Sequence, residues 1–463
     1  MTIPLDNLYD YIHSLVKEIA NNVLMYRFYP NGSKEIKNLL VMSDPRDYKL
    51  YSPVLKKTVM GLNCKILICY DQEPLNYNLY ENNFEKLKKV YEKYDPLDIN
   101  YFTSCPIILQ KFISRNNLAS HPDVALSVYD KKLLLHSEKN SEDLRRYKNN
   151  GYIDIHYWSH AFIALDWYRF AKHDRNSGKF FVDPFQKDFN IYCRGWTGTR
   201  EYRLKFLSML SKLNISQNSN IFFNEYDDNN KHFSDVTLNN KNWRLNKNEK
   251  IAINELNSIK NKNSNPTLSA VYDLEDYKKS AIDVVLETCF DQNKIHLTEK
   301  ILRPIACGKP FILVSGKNSL KYLQSYGFKT FGELIDEKYD SIECPKKRLK
   351  YITETMKEIS NLPEKEKKQL FINMHKIAEE NKKWFFSENF FDLINNELIR
   401  NLTSAIRILD NPDYQTAKEP RLLYRAYKMY YQYLSGIEKE QADLYISETP
   451  ERIKLSKKNI GIS

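Results

Sequence analysis

Residues 298–300 put Thr298, Glu299 and Lys300 in a row at the predicted start of a helix, just after a loop that leaves a predicted strand. Ligands of open α/β sheets collect at the carboxyl ends of strands and the amino ends of helices. A hydroxyl and an ammonium there suit phosphate oxygens. A carboxylate beside them repels phosphate, so Glu299 needs another task, and accepting hydrogen bonds from a ribose diol is the economical one. A second stretch, FNIYCRGWTGTREYRLKFLSML at 189–210, runs from an apolar strand through Arg194 and a Gly/Thr turn to Arg200 and Arg203. Cations at a helix amino end are disfavoured by the helix dipole. A bound anion relieves that cost, and guanidinium forks match a diphosphate. For Arg203 a surface ion pair with an acid is the competing reading.

A third stretch, GYIDIHYWSHAFIALDWYRFAKH at 151–173, offers proton-transfer groups. His160 follows a predicted strand and has an unperturbed pKa near neutrality. Asp166 lies further along the same predicted helix, able to take a proton or to orient the histidine. A satisfied core histidine is the plain alternative. Two further loops at predicted strand ends carry carboxylates, Tyr70-Asp71-Gln72-Glu73 and His136-Ser137-Glu138. Glu73 precedes Pro74, which holds it extended. No Asp-x-Asp stands in a convincing place, and no metal site is expected.

The Thr298-Glu299-Lys300 step, the helix after it and the ACGKPFIL segment at 306–313 resemble the donor-binding segment of GT-B glycosyltransferases, most closely the α-1,3-fucosyltransferase family. The resemblance covers about 30 residues. It implies that Glu299 holds the nucleotide ribose, that Lys300 lies near the diphosphate or sugar, and that Arg200, with Arg194 beside it, meets the diphosphate at a strand-to-helix entry. It also implies an inverting, metal-independent transfer from a nucleoside diphosphate sugar to a hydroxyl of a glycan. In that family an acidic residue follows the strand of the third stretch; here His160 occupies the nearest position. The proton acceptor is therefore left among His160, Asp166 and Glu73. The same chemistry on a hydroxymethylated base of phage DNA, or a non-catalytic glycan-binding module using the 33 tyrosines, are the alternatives.

The elements that must position these groups follow from periodicity. Leu5, Leu8, Ile12, Leu15 and Ile19 predict an amphipathic helix over 5–24. Short apolar strands are expected at 38–42, 65–69, 132–135, 152–157, 189–193, 281–286 and 310–314, alternating with helices over 141–147, 159–173, 199–213, 298–307 and 319–326. That alternation predicts parallel α/β architecture. Together with the resemblance it gives a GT-B expectation: an acceptor-side Rossmann-like domain over 1–180, a nucleotide-sugar-binding Rossmann-like domain over 181–346 facing it across a cleft, and a helical region over 347–463. Residues 176–184 read as a linker, and 214–266 as polar loops with one edge element.

Composition excludes more than it assigns. The 12 glycines form neither GxGxxG nor GxxxxGK[ST], which weakens dinucleotide and P-loop readings. Lys and Arg exceed Asp and Glu by 70 to 59, an excess of +11 spread over 463 residues, better matched to Lys/Asn/Ile-rich coding than to a dedicated polyanion surface. No run approaches the ~18 apolar residues of a membrane helix, and the first 27 residues do not read as a signal peptide. Seven scattered cysteines without a CxxC pair fit reduced thiols in a cytoplasm.

Overall fold

The computed structural model describes residues 3, 8–20, 23–27, 65–77, 131–149, 151–172, 185–227, 229–256, 259–261 and 271–410. The strand expected at 38–42, the linker at 176–184 and the tail beyond 410 lie outside the described residues. The rest is α/β with parallel sheets.

The first sheet joins β1 (Val23–Arg27), β2 (Lys65–Cys69), β3 (Lys131–His136) and β4 (Tyr152–His156) in the order β1-β2-β3-β4, all parallel. Helices α1 (Leu8–Ile19) and α2 (Glu142–Asn149) accompany it. The amphipathic stretch expected to run to residue 24 ends at Ile19, because Val23-Leu24-Met25-Tyr26 pairs with β2 instead. Val23 and Tyr26 are residue types that favour a strand over another helical turn.

The second sheet joins β5 (Lys187–Cys193), β6 (Ser219–Asn224), β7 (Ile259–Asn261), β8 (Ser280–Leu286) and β9 (Phe311–Val314) in the order β7-β6-β5-β8-β9. All its pairings are parallel. Strand β8 is buried along its whole length, as a strand covered on both faces must be. Its helices are α3 (Ser159–Trp167), α4 (Tyr202–Lys212), α5 (Lys247–Asn254), α6 (Leu274–Lys279), α7 (Glu299–Cys307) and α8 (Ser319–Ser325). Three longer helices follow: α9 (Pro345–Asn361), α10 (Glu364–Phe385) and α11 (Glu388–Asp410). The stretch 214–266, expected to be polar loops with one edge element, holds the edge strand β7 and more. Its SNIFFN run forms the interior strand β6, and α5 carries a full capping box from Asn246 and Glu249.

Two compact units divide the chain. One contains the first sheet, with Glu142–Tyr157 and the residues from Asn396 onward; the other contains Lys139–Ser141 and Trp158–Asn395. The crossover comes at Trp158, ahead of the boundary expected near residue 180, a position outside the described residues. The local reason is visible in α3. Every side chain from Ser159 to Leu165 is buried, so the helix needs cover all round. It packs against α7, and the Trp158 indole donates to the Leu297 carbonyl at 3.0 Å.

Candidate functional site

Strand order locates the site. In the second sheet the first strand in sequence, β5, lies between β6 and β8, so successive connections leave it in opposite directions. The loops after β5 and β8 therefore flank a topological switch point, where ligands of open α/β sheets bind. These loops carry Arg194–Arg200 and residues 287–298.

The start of α4 ties the two loops together. The Arg203 guanidinium donates from Nη1 to the Gly195 carbonyl at 2.6 Å and from Nη2 to the Leu286 and Glu287 carbonyls at 2.6 and 3.0 Å. The Tyr202 hydroxyl donates to the Glu287 carbonyl at 2.7 Å and the Val314 carbonyl at 3.3 Å. The Glu201 carboxylate accepts from the Asn239 and Asn240 amides. Arg203, expected either at a diphosphate or in a surface ion pair, is instead buried against strand-end carbonyls. The orphaned carbonyls at the ends of β5 and β8 offset the dipole cost that an anion was expected to relieve.

Arg194 and Arg200 are placed differently. Both are partly exposed. Arg194 lies over the Tyr192 ring, 4.4 Å from its centroid, and donates to the Val271 carbonyl at 2.7 Å. Arg200 ends a short 3-10 turn, Gly198–Arg200, in which Gly198 has φ +63°. Its Nη1 would lie 3.8 Å from a Cβ at Gly195.

The second loop closes on itself through Glu287. Its carboxylate accepts from the Thr298 amide at 3.1 Å, the Thr298 hydroxyl at 2.7 Å and the Thr288 amide at 3.2 Å. Burial raises the Glu287 pKa, and the nearby Lys300 charge opposes the rise. Thr298 caps α7 through its contact with the Lys300 amide, and Gly308 at φ +66° ends the helix, both as the sequence predicts. At the amino end of α7, Lys300 Nζ lies 3.0 Å from Glu299 Oε1 and 3.2 Å from Thr298 Oγ1.

Glu299 has a second partner that changes the reading of His160. His160 Nε2 stands 3.4 Å from Glu299 Oε2, and its Nδ1 is 3.3 Å from Ser159 Oγ. Burial pushes the imidazole down to about 4, against the pull of Glu299. A neutral His160 can carry its proton on Nε2, on the side of the Glu299 carboxylate. It stands as a neighbour of Glu299 at the amino end of α7. Asp166 pairs with Arg169 at 3.0 Å, six residues and about 9 Å of helix rise from His160. Glu73 belongs to the other unit, in the half-buried loop after β2.

Thr298, Glu299, Lys300 and His160 are thus brought together, and Arg194 and Arg200 stand on the neighbouring loop of the same switch point. One feature escaped sequence reasoning, and one carboxylate loop is sorted by burial. His296 is buried beside His160, ring centroids 5.3 Å apart and planes perpendicular. Its signal was alternation: Ile295 and Leu297 flank a polar residue that must face the opposite way. In the first unit Asp71, not Glu73, is the buried carboxylate of its loop. It accepts from Tyr9 at 2.9 Å and from the Tyr157 hydroxyl. Among the described residues no group of three or more His, Cys, Asp or Glu side chains could hold a metal ion. No described helix is long and apolar enough to cross a membrane.

Comparison with protein-family models, with curated proteins and with solved structures finds no match.

Proposed function

We propose that the chain is a glycosyltransferase of GT-B type, moving a sugar from a nucleoside diphosphate to a hydroxyl of a glycan, with inversion and without a metal. The observation that carries this reading is the strand-order reversal of the second sheet, with Arg194 and Arg200 on one loop of the switch point and Thr298-Glu299-Lys300 on the other. Arg194 and Arg200 neutralise the departing diphosphate, joined by Lys300. Glu299, beside His160 and Lys300, accepts from the ribose hydroxyls. Stabilising charge as it develops on the leaving group is electrostatic catalysis by prepositioned donors. In this reading neither His160, a weak base that already faces a carboxylate, nor Asp166, engaged by Arg169, is assigned the proton of the receiving hydroxyl.

A thermal-shift screen of UDP-, GDP- and ADP-linked sugars tests the donor. A ligand at 100 times its dissociation constant adds about 2.7 kcal/mol to stability. Arg200→Ala is expected to lower turnover by about 10²–10³-fold, the range for removing one donor to developing charge. A protein that binds a glycan but no nucleotide, with that binding unchanged in Arg200→Ala and Glu299→Ala, is a binding module and not a transferase.

A further inference from the structure

His296 has a hydrogen-bonding capacity that the surrounding protein does not use. Its side chain is 1 % exposed, and among the described residues neither Nδ1 nor Nε2 has a hydrogen-bond partner. Leaving a buried polar atom unpaired costs about 1–3 kcal/mol. Such atoms in folded proteins call for a ligand, an ion or a water.

The position is built. On one side of His296, Ile295 exchanges two backbone hydrogen bonds with Lys139, at 2.9 and 3.0 Å. On the other, the Leu297 carbonyl takes the Trp158 indole N–H. The backbone is therefore fixed on both flanks. The ring meets His160 edge to face, and His160 reaches Glu299 at the amino end of α7.

The protonation state narrows the ligand. Burial, helped by the neighbouring His160 and by the positive charges of Lys294 and Lys300 and opposed by Glu299, pushes His296 well below its usual value. At neutral pH the ring presents one N–H donor and one bare nitrogen acceptor. A phosphate accepts only and is better met by cations. A sugar hydroxyl both donates and accepts, which matches a neutral imidazole. Depth points the same way. The diphosphate candidates Arg194 and Arg200 are partly exposed, whereas His296 is buried, and the transferred sugar is the part of a donor that must be kept from water.

We propose that His296 binds a hydroxyl of the sugar carried by the nucleotide donor, on the inner side of the Glu299–Lys300 pair. This deepens the transferase reading and rests on it.

The test measures dissociation constants by calorimetry for three probes. They are the UDP-, GDP- or ADP-linked sugar that shifts the wild-type melting temperature most, its bare nucleoside diphosphate, and the corresponding 2′-deoxynucleoside diphosphate. His296→Phe keeps the ring and removes both nitrogens. The expected result is about tenfold weaker binding of the sugar-linked probe, one hydrogen bond's worth, with both bare nucleotides unaffected. The unliganded melting temperature should be unchanged or raised, because no internal bond is lost. His296→Asn, which keeps a donor and an acceptor, should restore part of the loss and serves in place of His296→Phe if that variant fails to fold. Equal weakening of sugar-linked and bare probes would overturn the assignment. So would a change confined to the contrast between ribose and deoxyribose, which makes the ribose the ligand. A lowered melting temperature with unchanged affinities would show a histidine bound to internal water. Wild-type protein that binds none of the probes would remove the transferase reading, and this inference with it.

Discussion

Both units contain a parallel sheet, but the two differ in strand order. Among the described residues, the first sheet adds each strand beside the last, β1-β2-β3-β4. The second grows from β5 in both directions. In the sequential sheet some polar groups at the strand ends pair with one another, while His136 Nε2 and Ser137 Oγ have no hydrogen-bond partner among the described residues. Asp71 binds Tyr9 and Tyr157, and Glu138 accepts from the Leu75 amide at 2.6 Å. In the reversed sheet Tyr202 and Arg203 tie the strand-end carbonyls together, Glu201 binds the Asn239 and Asn240 amides, and neither His296 nitrogen has a hydrogen-bond partner among the described residues. Among the described residues, what separates the two is strand order: the reversed sheet has a switch point, where ligands of open α/β sheets bind, and the sequential one does not.

The sharpest way to break this contrast is to remove the support beneath the reversed sheet. Asp283 lies fully buried in β8, bound by Asn190 at 2.9 Å, Tyr277 at 2.8 Å and Arg303 at 3.0 Å. Asp283→Leu leaves the Arg303 charge buried alone and should cost about 3–5 kcal/mol in denaturant unfolding. The double variant Asp283→Leu/Arg303→Met should recover most of it.

Acid should next separate the two units. His160 is held at about 4 by burial, while an unfolded histidine titrates near 6.5. The unfolded chain therefore takes up the proton first, so the stability of the reversed-sheet unit is present above about pH 6.5 and falls between that and about pH 4. His160→Gln should remove a loss on the order of 2 kcal/mol between pH 7 and pH 5, read from denaturation midpoints. An equal loss in the variant would contradict the assignment.

A smaller effect probes how tightly the 287–298 loop is held. A Cβ at Gly316 would lie 2.9 Å from the Lys294 carbonyl oxygen. Gly316→Ala must displace that backbone, costing roughly 1–3 kcal/mol and weakening nucleotide binding along with stability. Unchanged nucleotide affinity would mean that the loop tolerates movement.

The smallest effect belongs to the sequential sheet. Asp154 is bound by His136 and Lys148, which hold its carboxyl far below the usual range against partial burial. A depressed carboxyl stabilises above its unfolded pKa near 3.9, and that contribution is lost as the pH falls below it. Asp154→Asn should thus flatten the acid limb only below about pH 4, by less than about 1 kcal/mol given its exposure.

These contrasts also explain what was legible in the sequence. Strands such as Ser280–Leu286 and the capped helix Glu299–Cys307 were readable because short, mostly apolar runs, an N-cap threonine and a closing glycine are local signals. Strand β6 was hidden in an Asn-rich stretch, because SNIFFN is short and takes its identity from pairing beside β5. The chemistry of Thr298-Glu299-Lys300 was visible as a row of residue types. The transfer of His160 to the same unit as Glu299 was not, since it depends on α3 seeking cover on every side. Arg203 was misjudged for a similar reason: whether a cation meets an anion or a set of orphan carbonyls is decided by strands 80 residues away in sequence.

The central claim is that the reversed sheet, and not the sequential one, receives the nucleotide. Amide hydrogen exchange of the full chain, with and without a saturating nucleoside diphosphate sugar, tests it directly. The account predicts slowed exchange in Arg194–Arg200 and in residues 287–300, with no change in β2, β3 and the loops that follow them. Protection confined to residues 65–77 and 131–138 would contradict it.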